Sequence, residues 1–376
     1  MKVAIDGVRL TKKPTGVTDI TISIINSIAQ NYPEIELYIL TYQNLSPEIA
    51  TQIKFTKNVK LIVKPSFFFR AIGLFWSIFK LNGILRELRP DTFIAPNFLI
   101  TPFFFPKGIR VVVYVHDLVF KKYPETMNLI TKLNIRAFFK KTLKRADVVW
   151  TNSNYTKTEL LNFFPSETMD KKLIMGGGVN QFFLEQIEIA PRASNTKYGK
   201  YLLFVGTIEP RKNVPFLLKL FNDIKDMGYS LVVVGDKGWG AIDKNFEEIY
   251  SLVGFPRDRI IYTGYVTLQE LINLYRQASM LINTSLNEGL GLPLLEAMAC
   301  GCPVVCPHNS AMIEVVEGAG LTVNTWDFDD WRNAILKVEE NRQQLIAKGY
   351  ARISDFDWDK IIKHNLREII PGVLNK

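Results

Sequence analysis

The chain has 376 residues, of which 47% are hydrophobic and 22% charged. Those are the proportions of a folded globular protein, and the length is comfortable for two domains rather than one core. The formal charge is +9, and the three cysteines Cys300, Cys302 and Cys306 crowd into one segment, which does not make a disulfide framework and predicts a reducing, cytoplasmic compartment.

Met1-Lys2 leads at once into the strand pattern KVAIDG (2–7), so no leader is expected. Further strand candidates in the first half are ELYILT (36–41), VKLIV (59–63), TFIAP (92–96), RVVVYVHD (110–117), DVVWTNS (147–153) and KLIMG (172–176). After a polar, aperiodic stretch at 186–200, the series restarts with YLLFVG (201–206), SLVVVG (230–235), RIIYTG (259–264), SMLINTS (279–285), PVVC (303–306) and GLTVN (320–324). Uniformly apolar runs separated by helical patterns, such as 213–228 and 268–278, read as parallel strands buried on both faces. The expected fold is therefore α/β, with two doubly wound Rossmann-like domains facing across a cleft: 1–190, 191–355, and a tail at 356–376 crossing back to the first.

In such sheets ligands sit beyond the carboxyl ends of the strands, and the chemistry-bearing residues fall there. Gly16 follows the first strand; His116-Asp117 and Asn152-Ser153 close two others; Arg211-Lys212 follow the strand ending at Gly206. Gly235 through Gly240, with Lys237, follow the next, and Glu288 follows the strand ending near Ser285. The densest stretch is NEGLGLPLLEAMACGC (287–302), where Glu288 and Glu296 flank a glycine turn and a short helix. Carboxylates accept from sugar hydroxyls, and N–H groups at a helix start suit phosphate. A ligand half polyol and half phosphate, as a nucleotide-sugar is, fits both.

These stretches, together with VYVHDLVFKKYPE (113–125), TNSNYTKTEL (151–160), LIMGGGVNQFF (173–183), FVGTIEPRKN (204–213) and VVVGDKGWG (232–240), resemble the family 4 glycosyltransferases of GT-B architecture. The combination of HDLVFKKYPE, GTIEPRKN and GWG is similar to the mannosyltransferase-like branch, which builds bacterial surface polysaccharides such as lipopolysaccharide, often from GDP-mannose. The resemblance implies a retaining, metal-independent transferase without a cofactor, taking a nucleotide-sugar donor and a saccharide or lipid-linked acceptor. Glu296 would accept from the ribose diol and Glu288 from donor-sugar hydroxyls. Gly289, Leu290, Gly291 and Leu292 would offer N–H groups to sugar and diphosphate. Arg211 and Lys212 would take up the leaving diphosphate, with Gly206, Gly235 and Lys237 on the same donor side. His116 would reach the donor sugar, and Gly16 would let backbone approach phosphate and acceptor. With both glutamates occupied by hydroxyls, a front-face displacement is expected. One departure stands out: where the family loop reads close to T-G-I-G-R-Y, this chain has Thr15-Gly16-Val17-Thr18-Asp19-Ile20, adding bulk and removing a positive charge on the acceptor side.

Several rival readings attach to particular residues. The C-x-C-x₃-C cluster with His308 is a weak metal pattern beside plain buried cysteines. Asp327-Phe328-Asp329 and Asp355-Phe356-Asp357 lie beside helix starts, where aspartate caps. UDP- or dTDP-sugars, a non-catalytic sugar-nucleotide-binding homologue, and an epimerase or phosphorylase are the other functions weighed. Residues 1–190 hold 25 Lys and Arg against 15 Asp and Glu. No nucleic-acid motif accompanies that excess, so an anionic membrane surface is the expected partner and a peripheral location at the inner membrane face follows. The Phe-rich segment at 67–89 is either an interfacial amphipathic helix or a core helix.

Overall fold

The computed structural model describes residues 1–12, 14–65, 76–97, 100, 105–191, 197–238, 250–251 and 255–370. All thirteen expected strands form. In the first sheet they are β1 (Lys2–Asp6), β2 (Glu36–Thr41), β3 (Val59–Val63), β4 (Thr92–Ala95), β5 (Arg110–Val115), β6 (Val148–Thr151) and β7 (Lys172–Met175), in the order β3-β2-β1-β4-β5-β6-β7. In the second they are β8 (Tyr201–Val205), β9 (Ser230–Val234), β10 (Ile260–Gly264), β11 (Met280–Ile282), β12 (Val304–Pro307) and β13 (Leu321–Val323), in the order β10-β9-β8-β11-β12-β13. Every pairing is parallel. The strand order reverses direction beside β1 in one sheet and beside β8 in the other, which is where a doubly wound sheet opens a crevice at its carboxyl edge.

The chain divides into two compact units. One comprises Met1–Leu118, Ile130–Gln181 and Asp357–Lys376; the other comprises Val119–Leu129 and Phe182–Phe356. In the first, the helix Gly16–Asn31 lays Ile20, Ile24, Ile25 and Ile28 into a core shared with β1 and β2. The helix Trp358–Ile369 belongs to the same core through Trp358, Ile362, Leu366 and Ile369. Each such side chain, once buried, stabilises by roughly 1.5–3 kcal/mol relative to exposure. Asn365 Nδ2 donates to the Met175 carbonyl at 3.0 Å, and an Arg110 Nη donates to that of Glu368 at 2.9 Å, fixing the helix along the sheet.

The stretch at 186–200 is not wholly irregular. Residues Gln181–Ile189 form a helix that carries it to Ile189. Arg276 donates to the carbonyls of Ala190 (3.0 Å) and Ile187, so a cation from far along the chain satisfies the helix's last acceptors. Residues 192–196 lie outside the described residues, as do 66–75 of the Phe-rich segment. Its described end packs inward: Trp76 is 1% exposed and donates to the Lys64 carbonyl at 3.0 Å, and Leu81, Ile84 and Leu85 are buried. Among the described residues, no helix is long and apolar enough to cross a membrane.

Pairing in the second sheet continues beyond its strands. Gly206 N donates to Val234, Ile208 N to Asp236 and Gly238 N to Ile208. This brings the backbones of Gly206 and Gly235 into direct contact. Gly235 has φ +138°, and a Cβ there would fall on the Gly206 carbonyl, which has no side chain to move aside. Gly235→Ala should therefore cost a few kcal/mol. Gly228→Ala, at φ +75° in open space, should cost only about 1 kcal/mol. Chemical denaturation of the two variants checks the contrast, and equal costs would contradict it.

Candidate active site

The crevice position between β8 and β11 is filled by two loops locked together. The loop leaving β8 ends in a tight turn, Pro210–Lys212. Thr284 Oγ1 donates to the Lys212 carbonyl, and the Leu286 N–H to that of Arg211, each at 2.9 Å. The cation pair is thereby fixed to the loop that carries Glu288. That carboxylate, 7% exposed, accepts from Lys212 Nζ at 2.6 Å and Ser285 Oγ at 2.7 Å on Oε1, and from Arg211 Nη1 at 2.9 Å on Oε2. Arg211 also grips Glu209 Oε1 through Nη2 (2.8 Å) and Nε (3.1 Å), and donates to the Asn287 carbonyl at 2.8 Å. The Lys212 stem runs over Gly206, where an added Cβ would stand 3.3 Å from Lys212 Cε.

Burial alone would raise the Glu288 carboxyl. The charges of Arg211 and Lys212, with hydrogen bonds from Lys212 and Ser285, override it and hold the pKa at about 2. Two cations and two glutamates thus form a nearly neutral, largely buried cluster on two hydrogen-bonded loops. Such preorganised cations are what a departing diphosphate needs.

Glu296 stands on the helix Leu292–Ala299, which Gly291 opens at φ +95°. Its Oε2 accepts from the Tyr275 hydroxyl at 2.8 Å. Burial raises its pKa; the Tyr275 bond and the Lys212 charge work against that rise. Lys212 therefore acts electrostatically on both acidic side chains. Between them, Gly289–Leu292 form the link, with the Leu290 side chain buried. Lys237 is exposed and pairs through its backbone with Ile208; Trp239 and Gly240 lie outside the described residues.

Gly16 and His116 belong to the other unit, at the carboxyl edge of its sheet. His116 Nε2 lies 2.5 Å from the Pro96 carbonyl, and since that oxygen only accepts, Nε2 carries the proton. Burial lowers the imidazole pKa, and the bond to the Pro96 carbonyl and the Asp117 charge work against that. Gly16 begins a helix capped by Thr15. Thr18, the bulkier residue in the family's glycine position, is fully buried, and its hydroxyl accepts from the Thr15 N–H at 3.1 Å, closing a capping box. Its bulk serves the helix start.

The aspartate triplets act as helix caps. Asp327 accepts from the Asp329 N–H and Asp357 from those of Asp359 and Lys360. His308 bonds Thr322 Oγ1 at 2.9 Å. All three cysteines are buried free thiols, and burial pushes Cys302 up to about 12 and the other two higher still. No group of His, Cys, Asp and Glu suited to a metal ion occurs among the described residues.

Sequence reasoning missed Glu209, Ser285, Ser310 and Tyr275. Glu209 and Ser285 lay within three residues of recognised positions. Ser310 Oγ accepts from the Glu288 N–H at 3.1 Å across 22 residues, which no local pattern signals. Tyr275 lies in a helical apolar pattern, and the clue was its hydroxyl, since a buried tyrosine needs a partner.

The sequence matches the family described as Glycosyltransferase Family 4 over residues 16–170, and Glycosyl transferases group 1 over 199–341. It is 29% identical over 288 residues to O-antigen chain mannosyltransferase B of Escherichia coli, covering 73% of each chain. Its structure is similar to sucrose-phosphate synthase from Thermosynechococcus elongatus (TM-score 0.75, 16% identity, 97% of each chain). It is also similar to Anabaena HepE solved with UDP-glucose (TM-score 0.68, 18% identity, 98% of this chain and 100% of that one). The two parallel sheets are those of the GT-B architecture. The chain belongs to glycosyltransferase family 4, on the branch whose relatives include O-antigen mannosyltransferases.

Proposed function

We propose that this enzyme moves mannose from GDP-mannose to a saccharide or lipid-linked acceptor during assembly of a cell-surface polysaccharide. The observation that carries a nucleoside-diphosphate donor is the Arg211–Lys212–Glu288 cluster at the β8–β11 crevice, with Glu296 held nearby under the same Lys212 charge. Mannose is favoured by the O-antigen mannosyltransferases among the relatives. In the proposed step the C1–O bond to diphosphate breaks as the acceptor oxygen bonds C1 on the same face. The acceptor proton passes to a leaving phosphate oxygen, so configuration is retained and no metal is required. Arg211 and Lys212 stabilise the charge on the departing diphosphate, Glu288 and the Gly289–Leu292 segment hold the donor sugar, and Glu296 holds the ribose. His116 and Gly16 serve the sugar and acceptor.

Thermal-shift screening against GDP-, UDP- and dTDP-sugars, with EDTA present, tests the donor. The largest shift is expected with GDP-mannose, and Glu296→Ala and Arg211→Ala should each abolish it. A shift retained by both variants would place the donor elsewhere. NMR of the product's anomeric configuration tests the stereochemistry.

The basic residues of the first unit support docking at an anionic leaflet as the route to a lipid-linked acceptor. Flotation with liposomes is expected to recover the protein only when anionic lipid is present. Equal recovery with neutral lipid would contradict that.

A further inference from the structure

We infer that Tyr275 is a positioning residue for nucleotide recognition, holding the Glu296 carboxylate in the one orientation that can accept from a ribose diol. The inference rests on the donor role proposed above for Glu296. Tyr275 is fully buried on the helix Leu268–Gln277, and its hydroxyl donates to Glu296 Oε2 at 2.8 Å. That oxygen is thereby engaged by protein, and in the proposed arrangement Oε1 accepts from the diol. The tyrosine ring is itself fixed. Its edge meets Phe183 with centroids 6.5 Å apart and planes at 82°. The next residue, Arg276, is anchored on the carbonyls of Ile187 and Ala190. The helix Gln181–Ile189 thus braces the Tyr275 helix at two adjacent positions, and the brace ends on a carboxylate. A carboxylate with one oxygen held can hydrogen-bond a vicinal diol at low entropic cost, whereas an untethered side chain must first be ordered.

The test is calorimetric titration with GDP and UDP and with their 2′,3′-dideoxy counterparts, which lack only the diol. The wild type is expected to prefer the ribonucleotides. Tyr275→Phe removes a single oxygen from a packed ring and should weaken ribonucleotide binding by about tenfold or more, tenfold being the lower end for a hydrogen bond to a charged group. Dideoxynucleotide binding should be unchanged. In a Glu296→Ala background the same change should have no further effect.

A second readout separates positioning from general loosening. Glu296 is faced by Lys212, Tyr275 and Cys300. Losing the tyrosine donor raises the carboxyl pKa further, so across a pH series the variant's ribonucleotide affinity should fall off towards acid sooner than that of the wild type. A merely structural defect would weaken both nucleotide series at every pH. Wild-type preference retained by Tyr275→Phe, or equal weakening of both series, overturns the inference and leaves the donor role of Glu296 standing. Preference for the diol retained by Glu296→Ala overturns that role, and the inference with it.

Discussion

Lys212→Ala is expected to lower kcat/KM for sugar transfer by roughly 10²–10³, the scale seen when one preorganised charge-stabilising group is lost. It should also destabilise the fold by about 1–3 kcal/mol, because Glu288 loses its closest donor but keeps those of Arg211 and Ser285. Both effects follow from one geometry. Lys212 Nζ lies 2.6 Å from a Glu288 carboxylate that is 7% exposed. Arg211→Lys should show the activity loss with less destabilisation. Arg211 spreads its donors over Glu209, Asn287 and Glu288, and a lysine ammonium cannot reproduce that fork. Steady-state kinetics and chemical denaturation on the same samples separate the two quantities. Full activity in Lys212→Ala would remove the cation from the reaction.

Acid should weaken this protein through Glu288. Its pKa is held at about 2 in the folded chain against an ordinary value of 4.5. A carboxylate with a depressed folded pKa stabilises fully above its unfolded pKa, and that contribution is lost as pH falls through the folded one. The window is therefore pH 4.5 down to 2, and the amount is on the order of 3 kcal/mol. Glu288→Gln should melt well below wild type at pH 7, and the gap should close across that window. A gap constant from pH 7 to 2 would show that the charge of Glu288 contributes nothing to folding.

The two sheets were legible because buried parallel strands must be apolar on both faces, and thirteen short runs such as RVVVYV and SLVVV have no other use. The carboxyl edge that carries Arg211, Lys212 and Glu288 was legible too, since the polar residues fell after strands. The helix Gln181–Ile189 was harder to read. Its polar second half resembles a linker, and what ends it is Arg276, a residue 86 positions beyond Ala190. Thr18 shows the same limit: its place opposite a family glycine was legible, but its burial and its bond to the Thr15 N–H were not.

From the chain alone came the kinds of group at the site and the strand ends that bear them, because periodicity and residue chemistry are local. Their partners were decided by the tertiary fold. Arg211 and Lys212 could have faced solvent or ligand only. Instead Thr284 and Leu286 hold their backbone against the neighbouring loop, and Glu288 neutralises both. A charge leaves water only when the chain's folding delivers a counter-charge from far away in sequence, and that delivery is a property of the assembled sheet.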